Sequence, residues 1–305
     1  MNILIIAEKK RKIQQILDAL NEKNAQADYM RISKITLVSR KGETKIKSLG
    51  KELPYYDAVF IHARTSLAQF VEPMLEELQK IGSYTNLKKN SYYLGSNEPY
   101  SFVALAEAKV PAPRTITTGS AKSLEGFAGK ITYPILAKTF IGKKAHQELF
   151  INSAKELSLF SKSMRTEIDA FMIREFIEGD IVSCAVIGEK VFALKKKEGK
   201  EKFKKSSRGE VYKTTEKEKE IAINAANAIG YDTALVEMVK GNVIKVEPQI
   251  PFEEFNSALS ETLQDYLALY LIEKAKEYAP NVKDAYDFLG IRKFLSKTFF
   301  GKWFK

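Results

Sequence analysis

Apolar positions along the chain fall into alternating strand-like and helix-like periods. NILIIA (2–7) reads as a buried strand, and Ile13, Ile16, Leu17 and Leu20 then recur at helical spacing. YMRISKITLVS (29–39) comes next, YYDAVFIH (55–62) forms a second buried strand, and Leu67, Val71, Met74, Leu78 and Ile81 mark a helix ending at Gly82. Strand and helix alternate as a parallel sheet requires, so the first third reads as an open α/β unit. The proline-stiffened link KVPAPRT (109–115) follows, which places a lobe boundary between Asn90 and Pro111.

The middle of the chain changes character. TYPILAK (132–138) is a strand ending in Lys138, and TFIGKKAHQ (139–147) turns through Gly142. An ammonium at the end of a buried strand beside a basic glycine turn can grip phosphate, and the same pattern fits an ordinary hairpin with solvated lysines. FMIREFIEGDIVSCAVIGEKVFALKKK (171–197) reads as a strand, the acidic stretch EFIEGD, and two strands joined at Gly188. KKEGKEKFKKSSRG (196–209) surrounds the lone aromatic Phe203 with cations and is read as a solvated loop. Thr215 and Glu218 form a capping box for a helix through Ile221, Ala225 and Ile229 that stops at Gly230. DTALVEM (232–238) is then a strand carrying Glu237. In GNVIKVEPQIPFEEF (241–255), strict alternation places Val243 and Lys245 on one face and Ile244 and Val246 on the other, with Glu247 and Gln249 continuing the face of Lys245.

Composition narrows the function classes. The 305 residues are 45% hydrophobic and carry a formal net charge of +11, which suits a folded chain with polyanionic ligands: nucleotide phosphates, nucleic acid or an acidic peptide. The apolar runs are too short for a membrane span and lack a signal-peptide pattern, and the single Cys184 lies in an apolar strand, so a reducing cytoplasm is expected. His62 ends a buried strand and reads as a packed residue; His146 lies in the basic turn and reads as exposed. The C-terminal residues Phe288, Ile291, Leu295 and Phe299 share a helical stripe with Arg292, Lys293 and Lys297 between them. That stripe fits docking on the protein's own body or contact with an anionic membrane surface, docking being the commoner fate.

Taken in order, ELPYYDAVF, IGSYTN, VPAPRT, YPILAK, REFIEGDI, VIGEKVFALKKKEG, SSRG, EKEKEIAINAANAIGYDTALVEMV and VIKVEPQIP resemble the RimK-like branch of the ATP-grasp superfamily, from about Leu53 to Glu273. The resemblance implies an α/β ATP-grasp fold behind an N-terminal open parallel-sheet lobe. The expected division is residues 1–90 for that lobe, 91–172 and 173–278 for the two ATP-grasp lobes, and 279–305 for the basic aromatic tail. It further implies an ATP-dependent carboxylate-amine ligase that acts on a peptide or small acid through an acyl phosphate. Lys138, with the Gly142 turn, would hold ATP phosphates, Glu175 and Phe176 would form the adenine hinge, and Asp180 would meet the ribose. Arg208 would stabilise charge as the acyl phosphate is attacked.

For magnesium, the resemblance offers two registers. One assigns Glu237, Glu247 and, past the spacer Pro248, Gln249 as oxygen ligands for one Mg2+ ion; it is preferred because every ligand is an oxygen. The other assigns Lys245 and Glu247, and a lysine there would repel the metal or replace part of its charge. Three positions depart from the family pattern: Gly142 is the only glycine of the phosphate loop, Glu98 stands at an earlier phosphate-binding lysine, and Val182 stands where an arginine is common. An inactive member that binds nucleotide or another polyanion is therefore the alternative expectation.

Overall fold

The computed structural model describes residues 1–141, 144–164, 170–197 and 209–288. The chain divides into two units, one made of Met1–Lys89 with the segment from Thr262 onward, the other of Asn90–Glu261.

In the first unit the strands β1 (Asn2–Ala7), β2 (Gln26–Arg31), β6 (Ala58–His62) and β7 (Tyr84–Thr85) form an all-parallel sheet in the order β2-β1-β6-β7. Residues 3–7 and 58–62 are buried throughout, as parallel strands covered on both faces must be. Between β2 and β6, the strands β3 (Ile35–Arg40), β4 (Glu43–Ser48) and β5 (Lys51–Glu52) make a small antiparallel sheet that apolar pattern alone does not separate from its neighbours. Helices α1 (Gln14–Glu22) and α2 (Ala68–Lys80) carry the two apolar stripes that the spacing predicts. The C-terminal helix Leu263–Phe288 returns to this unit and packs on α1, β6 and β7. Its polar anchors there include Lys23–Asp265 at 2.8 Å, Gln15–Gln264 at 2.6 Å and Tyr84–Tyr270 at 3.3 Å. The tail residues beyond 288 lie outside the described residues. No helix among the described residues is long and apolar enough to cross a membrane.

The second unit opens with helices α3 (Ser91–Ser96) and α4 (Glu98–Glu107), the latter capped by the Asn97 side chain accepting from the Tyr100 N–H. Strands β8 (Thr115–Thr118), β9 (Ile135–Ile141), β10 (Lys144–Ile151) and β11 (Ala170–Glu175) build an antiparallel sheet in the order β10-β9-β11-β8. One face of it, through Ile135, Ala137, Phe171 and Ile173, packs with α5 (Ala121–Glu125) and α6 (Ala154–Ser163) into one apolar cluster. A second antiparallel sheet joins β12 (Ile181–Ile187), β13 (Lys190–Lys196), β14 (Glu210–Tyr212), β15 (Thr233–Val239) and β16 (Asn242–Glu247) in the order β14-β13-β12-β15-β16. Helix α7 (Glu216–Ile229) begins at the predicted Thr215–Glu218 capping box, ends at Gly230 with φ 87°, and covers one face of this sheet. Short α8 (Phe252–Ala258) follows β16 and packs against β13.

Two predictions come from the packing. His62 is buried and its imidazole pKa is pulled down to about 4, chiefly by burial and next by the charge of Lys12, against a weaker upward pull from Glu8. The unfolded chain takes up this proton below its ordinary 6.5 while the folded chain does not, so stability is full above that pH and falls as pH drops toward 4. The loss amounts to about 3 kcal/mol at its limit. Urea unfolding at pH 7.5 and pH 5 checks this, with His62→Gln flattening the pH dependence. The second concerns Gly95 in α3, where an added Cβ would collide with the hydroxyl of the fully buried Tyr231, while the space around Gly129 is open. Gly95→Ala therefore costs about 1–3 kcal/mol in thermal unfolding, and Gly129→Ala costs far less.

Candidate functional site

Lys138 lies on the face of the β8–β11 sheet opposite its apolar cluster. On β9 it pairs across the ladder with Glu148 on one side and Met172 on the other, and Arg174 follows Met172 on that same face. The N-terminal turn of α4 adds Glu98. The Lys138 ammonium meets Glu98 Oε1 and Oε2 at 2.8 Å each and Glu148 Oε2 at 3.2 Å, with only 11% of the lysine side chain exposed. The Arg174 guanidinium reaches Glu98 at 3.4 Å, donates to the Ile244 carbonyl at 3.1 Å, and lies 5.0 Å above the Phe102 ring. Burial lowers the Arg174 pKa, and the charges of Glu98 and Glu148 oppose that shift. Two cations and two carboxylates thus form one nearly neutral cluster.

The segment leaving β11 is braced by its own backbone. The Glu175 N–H donates to the Arg114 carbonyl and the Phe176 N–H to the Pro134 carbonyl, both at 3.0 Å. Glu175 Oε1 accepts from the Thr132 N–H at 3.1 Å, and the Phe176 ring meets Phe150 edge to face at 5.0 Å. Asp180 lies 3.3 Å from Lys195 at the partly exposed start of β12. Glu175 and Phe176 are therefore held at the exit of β11, with the Phe176 amide hydrogen already committed, while Asp180 lies at the entry of β12.

The second sheet packs one face against α7 and carries a row of polar residues on the other. Cys184 lies on the α7 side, where burial raises its thiol pKa to about 12 and Glu218 of α7 adds to the shift. On the other side a row runs across three strands, from Ser183 through Glu237 to Lys245, because these residues are ladder partners. Glu247 lies one step further along this face, and Lys196 shares it. Glu237 is 2% exposed, and the buried Ser183 hydroxyl has no hydrogen-bond partner among the described residues. Lys196, also buried, is held by Glu254 of α8 at 2.6 Å. Strict alternation in β16 fails at one point. Opposite Glu237 and Met238 the register shifts, so that Ile244 is an extra bulged residue. Val243 consequently shares the buried side with Val246, while Lys245 and Glu247 keep the open side, where they pair at 2.7 Å.

Gly142 and Arg208 lie outside the described residues. Gln249 is half-buried two residues beyond the end of β16. Among the described residues no group of three His, Cys, Asp or Glu side chains is gathered closely enough to hold a metal ion. Glu237 and Glu247 lie on the same face of the sheet, with Lys245 opposite Glu237 on the ladder and paired with Glu247 at 2.7 Å. Sequence reasoning had placed Glu98 only as a departure and had given no role to Glu148, Arg174 or Lys196. The one available signal was Arg174 itself, a cation inside the otherwise apolar strand FMIRE.

A model of the RimK-like ATP-grasp domain matches residues 96–258, and the chain belongs to that family. Its fold is an ATP-grasp fold preceded by a parallel-sheet unit. It is 24% identical over 245 residues to a probable alpha-L-glutamate ligase of Legionella pneumophila, covering 76% of this chain and 81% of that one. It is 25% identical over 252 residues to a protein of the same description from an Enterobacter strain, covering 79% of each. Among solved structures, the ATP-grasp ligase PsnB complexed with minimal precursor, Mg and ADP has a TM-score of 0.68 at 15% identity, over 90% of this chain and 97% of that one. The macrocyclase MdnC of Microcystis aeruginosa, bound to its precursor peptide MdnA, has a TM-score of 0.63 at 12% identity, over 90% of this chain and all of that one.

The charge cluster makes a prediction about stability. Arg174→Met removes the donor to the Ile244 carbonyl and unbalances Glu98, and is expected to cost about 2–4 kcal/mol in denaturant unfolding. Arg174→Lys recovers only part, since an ammonium cannot replace a planar fork.

Proposed function

We propose that the chain is an ATP-dependent carboxylate-amine ligase. A carboxylate of a peptide or small acid attacks the γ-phosphorus of ATP and ADP leaves. An amine then attacks the acyl carbon, loses its proton and expels phosphate, leaving an amide. The observation that carries the reading is the buried Glu237 beside Glu247 on the open face of the β12–β16 sheet, within the stretch that matches the family. Glu175, Phe176 and Asp180 would border the adenosine. Glu237, Glu247 and Gln249 would hold one magnesium ion, which supplies positive charge to the phosphates when bound. Arg208 would face the acyl phosphate.

The relatives support a substrate class. Some are described as probable alpha-L-glutamate ligases, and PsnB and MdnC were captured with precursor peptides. An amino acid or a peptide side chain is accordingly the partner we expect on this chain, with an acidic peptide favoured by the +11 net charge.

Titration with ATP, with and without magnesium, followed by phosphate release in the presence of amino acids and acidic peptides, tests the reading. Magnesium is expected to tighten ATP binding, and Glu247→Ala to abolish that increment along with turnover. Nucleotide binding without phosphate release across the whole acceptor panel would make the chain a binding module instead.

A further inference from the structure

We propose that the ammonium gripping the nucleotide phosphates in this chain is Lys245, and that Lys138 is a structural cation. The inference rests on the nucleotide-binding reading above and reassigns the charge within that site.

An ammonium has three N–H donors. Those of Lys138 face three carboxylate oxygens, at 2.8, 2.8 and 3.2 Å, with little of the side chain exposed. A phosphate arriving there would have to break charge-assisted bonds and would meet the negative charges of Glu98 and Glu148. Its approach is opposed on both counts. Lys245 also has two carboxylates near it, Glu237 across the ladder and Glu247 in an ion pair, but it differs in exposure and in how many of its donors are engaged. Its side chain is 43% exposed and, among the described residues, makes one ion pair, to Glu247, which engages one of its three donors. It stands in line with Glu237 and with the buried, unpartnered Ser183 hydroxyl, on the face away from α7.

The bulge sets this orientation. With Ile244 as the extra residue, Val243 and Val246 both enter the core while Lys245 and Glu247 both stay on the open face. Arg174 donates to the Ile244 carbonyl and so pins the bulge from the other sheet. The residues that occupy Lys138 are thus tied, through one guanidinium, to the strand that presents Lys245. Because the Lys245 charge is covalently tethered, it acts with or without a metal ion.

The test is ADP titration of the full chain in EDTA and in excess magnesium, with thermal melts confirming folding of each variant. Lys245→Ala is expected to weaken ADP binding in EDTA by at least about tenfold. Lys138→Met is expected to change it by less than about threefold and to lower the melting temperature. Should Lys138→Met fail to fold, the double variant Glu98→Gln with Lys138→Met removes the pair together and takes its place. Lys245→Ala binding ADP as the unaltered chain does, or the Lys138 variant losing binding as steeply, would overturn the assignment and leave the ligase reading intact. No ADP binding by the unaltered chain would overturn both.

Discussion

The bond from Arg174 to the Ile244 carbonyl connects the two sheets at the place where each turns from scaffold into chemistry. A guanidinium buried on a sheet face is costly unless its charge and its donors are met. Glu98 meets the charge, Phe102 covers the plane, and the bulged carbonyl takes a hydrogen. A β-bulge leaves an extra residue outside the regular ladder, and a carbonyl there needs a partner. Each group therefore resolves the other's deficit. Relaxing either would change the side on which Lys245 and Glu247 emerge.

Local features were legible in the sequence because local physics decides them. The Thr215–Glu218 capping box, the Gly230 stop and the buried runs 3–7 and 58–62 depend on neighbours a few residues away. The helix Leu263–Phe288 was not read from the sequence, and its packing on α1 could not be, since the polar contact Lys23–Asp265 spans 242 positions. Glu98 was visible only as an oddity, because its meaning lies in Lys138, 40 residues on. The bulge was illegible for a different reason. VIKV reads as part of one short continuous strand, and only the neighbouring strand, with Glu237 opposite Lys245, shows where the count slips.

The charges explain why composition said so little about the site. The chain carries +11, yet the cations nearest the proposed chemistry are paired: Lys138 with Glu98 and Glu148, Lys195 with Asp180, Lys196 with Glu254, and Lys245 with Glu247. Excess charge elsewhere raises the rate at which a polyanion arrives, and it is screened by salt within about 10 Å. Tight holding requires donors that a ligand can use without first displacing an internal partner. The arrangement on the two sheets thus separates steering from grip. The net positive charge attracts, pairs such as Lys138–Glu98 and Lys196–Glu254 brace the faces, and in the assignment proposed above the half-exposed Lys245 is the cation that meets what arrives.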